Sequence, residues 1–314
     1  MKTRVVTATC YVAVLVACFL LKIFVSSLFF DVFLYACAII GTKEIVDAMG
    51  ERLTGAQRGI VYAFTIINIP ACALFEYFFG VGLHVTAILF FFLALVLLSL
   101  FVLRHDETTP ENIGTAFFCT VYPSLIFIAI ILANHIGSDA VAASLTSNHI
   151  GSDNALKHLK IDSVLAIAFI FVSSAVSDTF AFMIGSLGKK RFPKKLAPTI
   201  SPNKTVIGFL GGVLGGAISG VGLYFIYNAI CGIGYTDMAI WLPVYVAIGI
   251  VGAISTAFGD LVESCIKRRL GIKDMGKIMP GHGGILDRLD GTIFAGIFIY
   301  LMFVLIHVIA AAVL

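Results

Sequence analysis

The sequence predicts an all-α, polytopic integral membrane protein of about nine transmembrane helices, with its N-terminus on the cytoplasmic side. Three observations carry this. Of 314 residues, 60% are hydrophobic and only 12% charged, whereas a soluble domain carries about 25% charged residues. Such a chain cannot cover a water-facing surface with polar groups, and its mean hydropathy of +1.03 agrees. Apolar stretches long enough to cross a bilayer recur from end to end, and the basic residues fall almost wholly in alternate loops between them.

The first span, 5–21, follows the basic start "MKTR". It lacks a small-x-small cleavage site and a second apolar stretch follows at once, so a retained helix is expected rather than a signal peptide. The second span covers 24–41; the third and fourth, 59–80 and 82–103, are parted only by the short turn "FFGVGLHV". The fifth is 113–136, and the later ones are 162–187, 206–231, 239–260 and 291–314. The organisation read from this is an N-terminal set of membrane helices (1–137), an external loop (138–161), and a C-terminal membrane region (162–314) with cytoplasmic loops 188–205 and 267–290. On this topology 18 of the 21 Lys and Arg residues lie on one side, and only Lys22, Lys157 and Lys160 on the other. By the positive-inside rule the first side is cytoplasmic.

The external loop carries a short duplication, "NHIGSDAVA" from residue 134 and "NHIGSDNAL" from 148. Two histidines in a polar loop are more often idle than metal-bound, so this reads as a tandem insertion without chemistry. The seven cysteines show no Cys-x-x-Cys spacing and sit mostly in apolar runs, where they pack as small apolar groups. Glu76, His84 and His307 are lone polar residues in apolar stretches and receive no role. The run "GFLGGVLGGAISG" (208–220) is a small-residue helix-packing face.

Charges inside membrane helices are costly and mark function. Late in the eighth span, Asp260, Glu263 and Ser264 stand at i, i+3 and i+4 and so share a helix face. The competing explanation is a span end neutralised by Lys267 and Arg268 one turn on. Asp287 and Asp290 are a second i, i+3 pair at the start of the last span, where helix capping is the alternative. Two carboxylate pairs at one boundary suit magnesium, which binds through one or two carboxylates together with substrate phosphates. Lys267, Arg268, Lys273, Lys277 and Arg288 then suit phosphate oxygens. The glycines Gly281, Gly283 and Gly284 let backbone amides approach an anion closely. Asp178 lies two to three turns inside the sixth span, where an unpaired aspartate is unfavourable. In "PTISPNKT", Lys204 and Thr205 precede a glycine-rich helix, a position suited to phosphate, although Ser-Pro-Asn is also ordinary turn chemistry.

The stretch "SCIKRRLGIKDMGKIMPGHGGILDRLD" (264–290) resembles the signature of the phosphatidate cytidylyltransferases, the CDP-diacylglycerol synthases. Its elements are Ser264, Lys267-Arg268, Lys273-Asp274, His282-Gly283-Gly284, Asp287-Arg288 and Asp290. "SDTFAF", with Asp178, and "ISPNKT", with Ser201, Lys204 and Thr205, resemble two upstream blocks of that family. The likeness covers most of 162–314, and the first spans share only their apolar character. Two departures stand out: Val206-Ile207 where the family has an acidic residue and glycine, and Phe182 where it has tyrosine.

The resemblance implies the reaction CTP + phosphatidate → CDP-diacylglycerol + pyrophosphate, dependent on magnesium, with Asp260 and Asp287 as metal ligands. A second, monovalent cation at the site is left open. On this reading Lys267, Arg268, Lys273 and Arg288 neutralise phosphates, while Lys204, with Ser201 and Thr205, contacts one from the opposite loop. His282 shapes the loop or protonates pyrophosphate. CTP, phosphatidate and membrane lipid are the expected partners, nucleic acid is not, and a homodimer is left open. The expected location is the bacterial cytoplasmic (inner) membrane, with the active site on its cytoplasmic face. The alternatives are a CTP-dependent polyprenol or lipid kinase and, from another class, an ion-coupled transporter. The latter calls for internally repeated halves, which the sequence lacks.

Overall fold

A computed structural model of the chain describes residues 2–137, 162–231, 238–279 and 283–313. The duplicated loop, from residue 138 to 161, lies outside the described residues, as does His282. The chain divides into two compact units, one of residues 1–153 and 272–288, the other of 154–271 and 289–314.

The first unit is built from α1 (Lys2–Phe24), α2 (Leu28–Met49), α3 (Gly55–Phe79), α4 (Gly82–Leu103), α5 (Pro110–Cys119) and α6 (Ile126–His135). Local chemistry sets the ends. Thr54 Oγ1 accepts the Gln57 amide at 3.3 Å while the Gln57 side chain accepts the Thr54 amide at 2.9 Å, a reciprocal cap that starts α3. Gly80, at φ +66°, closes the same helix in the left-handed region open to glycine. Thr109 and Asn112 repeat the reciprocal cap before α5, with Pro110 at its first position. The predicted fifth span is therefore not one regular helix. Pro123 has no amide to donate, and a wide turn, Thr120–Leu125, joins α5 to α6 there. Where α1 and α6 end and α2 begins, a buried polar network ties them together. Lys22 Nζ donates to the Asn134 carbonyl at 3.1 Å, Asn134 Nδ2 donates to Asp31 at 2.8 Å, and His135 Nε2 meets Asp31 at 2.7 Å.

The second unit contains α7 (Ser163–Gly188), strands β1 (Lys195–Ala197) and β2 (Ser201–Thr205), α8 (Val206–Cys231), α9 (Met238–Leu270) and most of α10 (Leu286–Val313). The loop 188–205, expected without regular structure, closes as an antiparallel hairpin with Lys195 opposite Thr205. The small-residue run behaves as expected. A Cβ on Gly211 or Gly215 would strike Ile184 or Phe180 of α7, at 2.7 and 2.8 Å. One on Gly216 or Gly220 would strike the backbone of α9 at Gly249 or Tyr245. One face of α8 thus packs α7 and the next packs α9, both at backbone contact. Gly216→Leu is accordingly expected to destabilise the protein by about 3 kcal/mol or more, read as a lowered melting temperature in detergent; Gly222→Leu, with open space around its Cα, is the control.

Among the described residues seven helical segments are long and apolar enough to cross a membrane: Gly55–Phe79, Gly82–Leu103, Pro110–His135, Ser163–Gly188, Val206–Ile230, Met238–Leu270 and Leu286–Ile309. Nine spans are expected from the sequence; seven are counted among the described residues. The first two expected spans are both helical, as α1 and α2. In α1 the described apolar part is Thr9–Phe24, and α2 carries Asp31, Lys43, Glu44 and Asp47 along its length. The protein is thus an all-α integral membrane protein, as the apolar runs require.

Candidate active site

The carboxylates that the sequence singles out separate between the two units, and each group has its own geometry. In the second unit, α9 presents Asp260, Glu263 and Ser264 along one side, as their spacing requires. Asp260 Oδ2 lies 2.5 Å from Lys204 Nζ, the last lysine of β2. The side chains are 35% and 24% exposed, so the pair is neither sealed nor freely solvated. Ser264 Oγ donates to Asp260 Oδ1 at 3.4 Å. One turn on, Lys267 Nζ lies 2.7 Å from Glu263 Oε2. Arg268 donates through Nε to the carbonyl of Ile200, in the turn of the hairpin, at 3.3 Å. The hairpin is therefore held against α9 by a lysine and an arginine running in opposite directions.

Asp178 of α7 and Asp290 of α10 complete this group. Asp290 interacts with Asp260, Glu263 and Lys267, and Asp178 with Asp290, Asp260 and Lys204. Four carboxyl groups thus face two ammonium groups. Glu263 is fully buried; among the described residues no N–H or hydroxyl donates to its Oε1, and its carboxyl group interacts with that of Asp290. A buried carboxylate oxygen of this kind, among further carboxylates, needs a proton or a cation. Among the described residues no three His, Cys, Asp or Glu side chains are arranged to hold a metal alone. The donor set nevertheless suits magnesium, a hard cation that takes one or two carboxylates and fills its remaining positions with water and phosphate oxygens.

From the sequence, Thr205 is expected to contact a phosphate. It is buried and its Oγ1 accepts the Gly208 amide at 3.1 Å, capping α8. Ser201 stands at the start of β2 opposite Ala197.

In the first unit the segment between α9 and α10 folds around two carboxylates. Asp287 Oδ2 accepts the amides of Met275 and Gly284, at 2.9 and 2.8 Å. Gly283, at φ +87°, makes the turn, and a Cβ there would stand 2.6 Å from Asp287 Oδ2. The second carboxylate is Glu44 of α2. Its two oxygens accept the amides of Ile285 and Leu286, each at 2.9 Å. Of the glycines singled out, Gly284 brings its amide to an anion, the chain's own Asp287, while Gly281 lies outside the described residues. Lys273, Asp274 and Arg288 are exposed around this segment. Glu44 is the residue that the sequence reading missed. Its signal is one of several charges in "GTKEIVDAMG" on α2, and its partners lie 241 and 242 residues away.

Comparison with known proteins agrees with the motif reading. Residues 2–306 match the Cytidylyltransferase family model. A phosphatidate cytidylyltransferase of Staphylococcus haemolyticus is 41% identical over 133 residues, covering 42% of this chain and 46% of the relative. One from Staphylococcus epidermidis is 42% identical over 128 residues, 41% of this chain and 45% of the relative. One from Thermotoga maritima is 36% identical over 135 residues, 43% of this chain and 47% of the relative. The chain thus spans about half the length of the curated relatives it matches.

Proposed function

Because the chain belongs to the Cytidylyltransferase family, we propose that it is a phosphatidate cytidylyltransferase, converting CTP and phosphatidate to CDP-diacylglycerol and pyrophosphate. The observation that carries this reading is the polar group of the second unit: Asp260 on Lys204, Glu263 on Lys267, and the buried carboxyl group of Glu263 against that of Asp290, in a chain otherwise apolar.

The chemistry asks little of a nucleophile. A phosphate monoester has a second pKa of about 6 and is already mostly ionised at neutral pH. Phosphatidate therefore needs no strong general base, and no serine or cysteine need attack. The obstacle is the approach of one anion to another, which positioning and charge neutralisation overcome. Lys204 can leave Asp260 for an incoming phosphate, which frees the Asp260 carboxylate in the same event. Lys267 and Arg268 supply further positive charge on α9, and Lys273 and Arg288 supply it around the loop of the first unit. Magnesium, when bound, supplies positive charge that offsets the phosphates' own; the metal roles that the resemblance gives Asp260 and Asp287 belong to this proposal. So do the bacterial inner membrane as location, a cytoplasmic N-terminus and a cytoplasmic active site, which the lysine and arginine distribution supports.

Purified protein in detergent, given phosphatidate, magnesium and CTP labelled at the α or the γ phosphorus, tests this. Label from the α position is expected in lipid, with pyrophosphate released. Transfer only from the γ position would make the protein a lipid kinase, and transfer from neither, in folded protein, would overturn the enzymatic reading.

A further inference from the structure

The Glu44 carboxylate is 7% exposed, and the hydrogen bonds it accepts come from backbone amides in a distant segment rather than from a cationic side chain. Burying a carboxylate is costly unless its oxygens are satisfied, so its location calls for an account. The amides of Ile285 and Leu286 stand at the entry to α10, where the first turn has no acceptors of its own. Anionic groups are favoured at such a helix end. The preceding amide, of Gly284, turns instead to Asp287. Three consecutive amides are thus shared between two carboxylates, Asp287 taking the first and Glu44 the next two.

Two glycines enclose Glu44. A Cβ on Gly276 or on Gly284 would collide with its carboxylate, so the loop closes on it from both sides. One turn earlier on α2, Gly41 receives the side chain of Leu286, which is fully buried; a Cβ on Gly41 would stand 2.9 Å from Leu286 Cδ2. Helix α2 thus holds the loop twice, by shape at Gly41 and by charge at Glu44. A cap needed only for helix stability could come from a residue next to α10, as Thr54 and Thr109 serve α3 and α5. A carboxylate reaching from another helix also specifies where the helix begins.

We infer that Glu44 is the positioning residue of the turn into α10, fixing the backbone from Gly284 to Leu286 and thereby the direction of Asp287. Its effect on turnover rests on the proposed function; its hold on the loop does not. Misplacement of a reacting group by about 1 Å can cost about a hundredfold in rate. Glu44→Gln has the same shape but offers one acceptor oxygen and sets its carboxamide NH2, a donor, against the second backbone N–H.

The test compares wild type, Glu44→Gln and Gly276→Ala, the last leaving Glu44 in the chain while displacing its carboxylate. Trypsin cleavage after the exposed Lys273 and Lys277 reads the loop, α-label transfer reads kcat and KM, and a thermal melt reads global stability. Both variants are expected to be cut several-fold faster in the loop and to lose about tenfold or more in kcat, with KM for phosphatidate and cleavage elsewhere unchanged. Wild-type cleavage and kcat in both variants would overturn the inference, as would lower activity that tracks a lower melting temperature with uniform cleavage. If Glu44→Gln does not fold, Gly276→Ala decides by the same criteria. A wild type that transfers no label sinks the proposed function, while the cleavage pattern still tests Glu44.

Discussion

Replacing Asp260 with asparagine is expected to lower cytidylyl transfer roughly a thousandfold while leaving the protein folded. Two features make this effect large and its structural cost small. Asp260 is the partner of Lys204 at 2.5 Å and also neighbours Asp178 and Asp290. Loss of its charge therefore alters the carboxylate group and releases the lysine together. The pair is about one third and one quarter exposed, and ion pairs so screened contribute about 1 kcal/mol or less to stability. A melt of the purified variant should stay near wild type, while transfer of label from the α phosphorus nearly vanishes. Near-normal turnover in folded Asp260→Asn would remove Asp260 from the proposed metal site.

The second large effect separates two duties of Asp287. The amides of Met275 and Gly284 both go to one oxygen, Oδ2. Asparagine can present a carbonyl oxygen at that position and keep both bonds, whereas alanine keeps neither. Hydrogen bonds to charged groups contribute about 1.5–3 kcal/mol each, so Asp287→Ala should open the loop and abolish transfer. Asp287→Asn should keep the loop closed yet still lose about a hundredfold or more in turnover, if the charge itself serves the reaction. Loop closure is read by trypsin at Lys273 and Lys277, and turnover by the α-label assay. An active, closed Asp287→Asn would reduce Asp287 to a structural cap and withdraw its proposed role as a metal ligand.

Much of the protein is legible in the sequence because its physics is local or periodic. Apolar runs of bilayer length identify the long helices without reference to tertiary contacts, and the small-residue face at 208–220 foretells the close contacts of α8. The i, i+3, i+4 spacing puts Asp260, Glu263 and Ser264 on one side of α9. Less legible are elements whose state depends on balance. Pro123 divides the fifth span into two helices and a wide turn, although hydropathy there is unbroken. The charges at Asp31, Lys43, Glu44 and Asp47 take α2 out of the set of plainly apolar helices. The 188–205 segment has the turn residues of a loop, and its hairpin is seen only in pairing.

What the sequence by itself determined is the class, the family and the identity of the polar residues, because bilayer length, residue charge and signature spacing are written in consecutive letters. Partnership came only from the tertiary structure. That Lys204 meets Asp260, that Glu263 lies against Asp290, and that Glu44 holds the entry to α10 depends on segments up to 242 residues apart. A charge acts through its neighbours within a few ångströms, and folding chooses those neighbours irrespective of their separation along the chain.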